Sequence, residues 1–146
     1  MPLPDLTESG DLPSGIHPAT LAESITRFGV GTDRRKRLAT RLERVYNIAA
    51  ETGQLIHFVV FGSFVTNKSE PNDVDIFIMM DDDFDVSLLS GESRLLFDHS
   101  GAQDHFGCSV FWLRRSAAAD GEAAALESWQ VKRDGTLRGI VEITQG

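Results

Sequence analysis

The strongest constraint on the fold lies between residues 56 and 80, where two apolar runs enclose a polar connection: IHFVVF, then GSFVTNKSEPN, then DVDIFIMM. Each run is too short and too rich in β-branched and aromatic residues for a helix, so buried strands are expected at residues 56–61 and 73–80. Pro71 interrupts any helix in the connection, and residues 69–72 read as a turn. On a strand, residues i and i+2 share a face, so Asp73 and Asp75 project together while Val74 and Ile76 point the other way. Two neighbouring carboxylates repel each other unless something positive lies between them, and a divalent cation is the usual answer. At the end of the first strand, Gly62 lets a phosphate approach the backbone and Ser63 supplies a hydroxyl and an amide to hold it. A helix beginning within residues 63–68 would aim its first amides at the same phosphate. Taken alone, a Gly-Ser pair after a strand is also a very common turn.

Charge distribution bears on the same region. The chain has 146 residues and a net charge of −8, but residues 69–105 hold ten acidic side chains against one basic, while the flanking parts are nearly balanced. An acidic balance argues against unaided binding to a nucleic-acid backbone. A concentrated acidic centre suits either a cation site or a solvated loop. Asp81, Asp82, Asp83 and Asp85 read as solvated turn residues, lacking the glycine and terminal glutamate of an EF-hand loop. The length and the 41% apolar content fit one domain with its own core. A lone cysteine, Cys108, forms no internal disulfide and fits a cytoplasmic location. No apolar run approaches a membrane span, and the acidic, Pro-rich start is unlike a signal peptide.

Along the chain, residues 1–15 read as an extended N-terminal arm and residues 16–146 as a single domain. A short helix is expected from His17, with Pro18 in its first turn and Gly29 at its end. A second, capped by Thr32 or Asp33, spans about residues 33–52, with Leu38, Leu42, Val45, Tyr46 and Ala49 as its buried stripe. Arg34, Arg37, Arg41 and Arg44, reinforced by Arg35 and Lys36, line another face, either solvated or facing a partner or a triphosphate. Helices are expected over residues 86–99 and 116–130, a third strand over 106–113, and an edge strand over 139–143. His99 and His105 read as surface residues, since no cysteine or histidine stands at metal spacing from them.

Nine residues separate Ser63 from Asp73, room for one or two helical turns and a return to an adjacent strand. A Gly-Ser after one strand and an Asp-x-Asp on the next resembles the nucleotidyltransferase core of the DNA polymerase β superfamily, over roughly residues 35–113. Small minimal nucleotidyltransferases, including those acting as antitoxins beside HEPN-type toxins, look most similar. The resemblance implies an α/β (α+β) fold, a nucleotidyltransferase-like small mixed sheet flanked by helices. It implies that Gly62 and Ser63 hold the phosphates of a nucleoside triphosphate and that Asp73 and Asp75 bind Mg²⁺ and carry catalysis. The implied activity is transfer of a nucleoside monophosphate onto a hydroxyl, for instance of a partner protein such as a HEPN-type toxin. The alternative is an inactive nucleotidyltransferase-like binding or antitoxin-type module; an α/β domain with a chance motif is the third reading. The family's third carboxylate falls near Gly107, Cys108 and Ser109, none of them acidic, which leaves Asp104, Glu142 or no residue for that place. Minimal members also tend to carry an arginine and a glycine shortly after the serine, where this chain has Thr66 and Asn67, with Lys68 next.

Overall fold

The computed structural model describes residues 3–144. Strand β1 (Ile16–Thr20) leads into helices α1 (Leu21–Phe28) and α2 (Asp33–Glu51), followed by strands β2 (Leu55–Phe61) and β3 (Val74–Met80). Helices α3 (Gly91–Leu96) and α4 (His99–Phe106), strand β4 (Cys108–Arg114), helix α5 (Glu122–Glu127) and strand β5 (Ile140–Thr144) complete the order. The strands form one mixed sheet in the order β1-β5-β2-β3-β4. Within it β2 runs antiparallel to β3 and β5, while β1 is parallel to β5 and β3 to β4. The fold is therefore the expected α+β type, a small mixed sheet flanked by helices.

Strand alternation sorts the side chains into two layers. Phe58, Val60, Ile76, Ile78 and Val141 join the larger core, together with the stripe Leu38, Leu42, Val45, Tyr46 and Ala49 of α2. Thr32 caps that helix by accepting the Arg35 amide at 3.2 Å. Leu38, Leu42 and Val45 are at most 1% exposed, and full burial of such a side chain contributes about 1.5–3 kcal/mol. On the other face Val59, Phe61, Phe77, Met79 and Ile140 have a thinner cover, Leu126 of α5 and, just beyond it, Trp129. Asp75 belongs to this second face, two residues before Phe77.

Several local expectations are corrected. Residues 16–20 form a strand instead of a helix start, and α1 begins only at Leu21, capped by Thr20. Pro18 is tolerated because β1 lies at the sheet edge, where a missing amide breaks no ladder. The segment 139–143 is an interior strand, β5, placed between β1 and β2, and not an edge. The single helix expected over residues 86–99 is a 3-10 turn and α3; Asp98 then starts α4 by accepting the Gly101 amide at 2.9 Å. In residues 116–130 only Glu122–Glu127 is α-helical. Residues 3–15 contain no regular element, yet Leu3 and Leu12 are buried in the core and Arg27 donates to the carbonyls of Leu3 and Pro4.

Candidate functional site

Antiparallel pairing of β2 with β3 sets Phe61 opposite Asp75, so the chain leaves β2 at Gly62 directly beside the paired carboxylates. Gly62 adopts φ +82°, a left-handed value, and a Cβ there would lie 2.0 Å from Asp75 Oδ2. Only glycine meets both demands, the backbone angle and the contact. Gly62 leads into one 3-10 turn, Ser63–Val65, and not into the helix expected over residues 63–68. The turn is held from behind by Arg35 of α2, which is 6% exposed and donates to the carbonyls of Phe64 at 2.8 Å and Thr66 at 2.6 Å.

Ser63, Asp73 and Asp75 all line one cleft of about 480 Å³, as the motif anticipates for these residues. Burial and the facing negative charge of Asp73, with a hydrogen bond between the two carboxyl groups, push the Asp75 pKa up to about 7. Arg138 and Arg133 work in the opposite direction without cancelling these effects. Those arginines also line the cleft, as does Lys132, whose ammonium pairs with Asp11 at 3.0 Å. Lys132 and Arg133 belong to a turn closed by the Val131–Leu137 bridge, with the Gly135 amide donating to the Lys132 carbonyl at 2.9 Å, and Arg138 directly follows it. The Nε of Arg138 is buried and has no hydrogen-bond partner among the described residues. An unsatisfied guanidinium N–H beside a carboxylate pair leaves room for an anionic group between acid and base.

Parallel pairing of β3 with β4 sets Ser109 opposite Asp75. The Ser109 hydroxyl donates to Asp73 Oδ2 at 2.7 Å and lies 3.0 Å from Gln103 Oε1. Neither candidate acid joins the cleft lining: Asp104 is exposed on α4, and Glu142 on β5 is bonded to His57 Nδ1. Among the described residues no group of three or more His, Cys, Asp or Glu side chains is arranged to hold a metal. Two carboxylates nevertheless match a Mg²⁺ ion, which keeps waters and substrate phosphate oxygens as its other ligands. The donor set, hard oxygens already repelling one another, fits that ion.

His99 is exposed, as expected, and also lines the cleft, its Nδ1 donating to the Val110 carbonyl at 3.1 Å and its ring 4.9 Å from that of Phe111. The basic wall and His99 escape motif reading because each reaches the cleft from a distant part of the chain. The readable hint is the Asp134-Gly135 turn inside the run KRDGTLR, which folds its basic residues onto one short segment. Half of the six basic residues on α2 have partners of their own: Arg34 pairs with Glu70 at 3.0 Å, Arg44 with Glu92, and Arg35 with backbone carbonyls.

His57 ties α5, one flank of the thin layer, to the sheet. Its Nε2 bonds Glu122 at the start of α5 and its Nδ1 bonds Glu142 of β5. Burial disfavours protonation of His57, but its bonds to Glu122 and Glu142 outweigh this and raise its pKa above 6.5. A raised folded-state pKa means that the bridge stabilises fully below the unfolded value and fades as pH rises through the folded one. His57→Ala should therefore lower the melting temperature by several degrees at pH 6 and much less at pH 9; an equal loss at both would sink the ionic reading.

No helix of the described residues is long and apolar enough to cross a membrane. The chain belongs to a family of unknown function, DUF6932, whose model matches residues 4–144. No curated protein and no solved structure matches it.

Proposed function

We propose that this DUF6932 member is a Mg²⁺-dependent nucleotidyltransferase that moves a nucleoside monophosphate from a nucleoside triphosphate onto a hydroxyl, with a partner protein as one class of acceptor. The observation that carries the reading is the cleft itself, a carboxylate pair sharing one space with Arg133 and an Arg138 whose Nε is unsatisfied among the described residues. Asp73 and Asp75 hold the metal, which when bound neutralises charge on the transferring group and positions the attacking hydroxyl. Gly62 keeps a Cβ out of the space beside Asp75, and Ser63 presents its hydroxyl to the phosphates. Arg133 and Arg138 bind the remaining phosphate oxygens, to which guanidinium groups offer paired donors. Cys108 is buried as a thiol, with its pKa pushed up to about 12, which suits a reducing compartment such as the cytoplasm.

One observation favours a second reading, an inactive nucleotidyltransferase-like binding or antitoxin-type module with a HEPN-type toxin as its partner. Ser109 stands where the superfamily places its third acid, and a hydroxyl neither completes a second metal site nor accepts the proton of the attacking group. Calorimetry with ATP, GTP, CTP and UTP, with and without Mg²⁺, tests the nucleotide and metal site. Binding of at least one triphosphate should require Mg²⁺ and weaken about a hundredfold or more in Asp73→Ala combined with Asp75→Ala, a loss of about 3 kcal/mol of charge-assisted contact. No binding by the native chain to any of the four removes the enzyme reading. Labelled triphosphate with candidate acceptors then separates the two readings, since product formation requires the enzyme.

A further inference from the structure

Beside the charged cleft lies a second cavity of about 560 Å³, walled mainly by apolar and aromatic side chains. The two spaces share His99, Phe111 and Trp129 as a common partition. Phe111 is 40% exposed, an unusual state for a large aromatic side chain on a strand, and its ring centroid lies 5.3 Å from that of Trp129 at 36°. Asp120 and Ser128 also line the second cavity. From these observations we propose that the aromatic chamber is the seat of the nucleobase, whose triphosphate lies in the cleft next door.

The two spaces match the two halves of a nucleotide, an assignment that rests on the proposed nucleotide function. A ligand with an anionic end and a flat, weakly polar end fits a polar cleft joined to an apolar chamber across a shared aromatic wall. The volume lies within the range that small-molecule sites occupy. A base stacks on Phe111 or Trp129 without regard to its identity, because every base has a π-face. Discrimination falls to Asp120 and Ser128, since a carboxylate accepts hydrogen bonds from ring N–H and exocyclic amino groups and offers none in return. Bases rich in such donors are preferred over uracil, which has one ring N–H and two carbonyls on the corresponding edge.

Both tryptophans of the chain, Trp112 and Trp129, line the chamber, so base entry is read by quenching of intrinsic fluorescence. The full chain with Mg²⁺ is titrated with the four triphosphates, with their nucleosides and with inorganic tripolyphosphate. At least one triphosphate should quench and bind about tenfold or more tightly than tripolyphosphate, in line with the loss seen when a stacking partner is removed. Ala124→Phe, which fills the chamber from α5, should abolish that advantage and leave tripolyphosphate affinity unchanged. Ala119→Phe, at an exposed turn position with little bearing on folding, should do the same, and circular dichroism verifies that both variants are folded. Triphosphates no tighter than tripolyphosphate, or an advantage that survives both variants, overturn the chamber while the phosphate and metal site stands. Nucleosides that quench where tripolyphosphate fails to bind support the chamber and remove the phosphate reading. If neither class binds, both fall.

Discussion

Arg35→Ala is expected to lower the melting temperature by about 10 °C, read by circular dichroism in a thermal scan. The guanidinium is 6% exposed and makes five hydrogen bonds to four backbone carbonyls. Its Nη1 donates to Phe28 at 3.0 Å and Phe64 at 2.8 Å, its Nη2 to Thr66 at 2.6 Å and Lys68 at 2.5 Å, and its Nε to Lys68 at 3.0 Å. Truncation strands these acceptors and opens a void under the turn, a combination that costs about 3–5 kcal/mol. In a chain of this size each kcal/mol moves the melting temperature by about 2–4 °C. Arg35→Lys should recover less than half of the loss, because one ammonium has three donors and no planar fork to span four carbonyls. A change below about 2 °C for alanine would mean that the turn is held by something else. Arg35 also links α2 to the turn that carries Ser63, so the same variant should weaken triphosphate binding without touching any ligand atom.

That residue illustrates which features are readable in the sequence. Strands β2 and β3, the stripe of α2 and the juxtaposition of Gly62, Ser63, Asp73 and Asp75 follow from local rules: period two, period three to four, and a short connection. Arg35, in contrast, lies among five other basic residues within 34–44, and composition cannot mark the one that turns inward. Partnering is likewise invisible locally. β5 reads as an edge because IVEI is short, yet β1 pairs with it from more than 120 positions away, His17 against Val141, and makes it interior. Leu88 counts toward an apolar helix face in residues 86–99 but is 82% exposed, which is why the helix expected there is too long. The basic wall of Arg133 and Arg138 is the clearest case: complementarity to Asp75 arises from two segments some 60 residues apart, joined only by the fold.

In metal-free buffer containing a chelator, Asp75→Asn should stabilise the protein at pH 8 and leave it nearly unchanged at pH 4. The physical reason is the cost of keeping two carboxylates together in a partly buried cleft. Burial and Asp73 raise the Asp75 pKa from 3.8 to about 7, so the unfolded chain loses this proton at lower pH than the folded one. Below pH 4 both states are protonated and there is no penalty. As pH rises toward 7 the unfolded state ionises first, and folding stability falls; above 7 the penalty is complete and constant. A displacement of that size corresponds to about 4 kcal/mol, and solvent reaching the open cleft screens it to about 2 kcal/mol. Asparagine keeps the shape and carries no charge, so the variant gains about 4–8 °C at pH 8. A variant that melts lower than the native chain at pH 8 would mean that the basic wall already neutralises the pair. Adding Mg²⁺ gives the converse test. The native chain should then rise in melting temperature at pH 8, while Asp75→Asn, with one charged ligand fewer, rises much less. Repulsion relieved by mutation and repulsion relieved by a cation are the same free energy approached from two sides, so the two gains should not add.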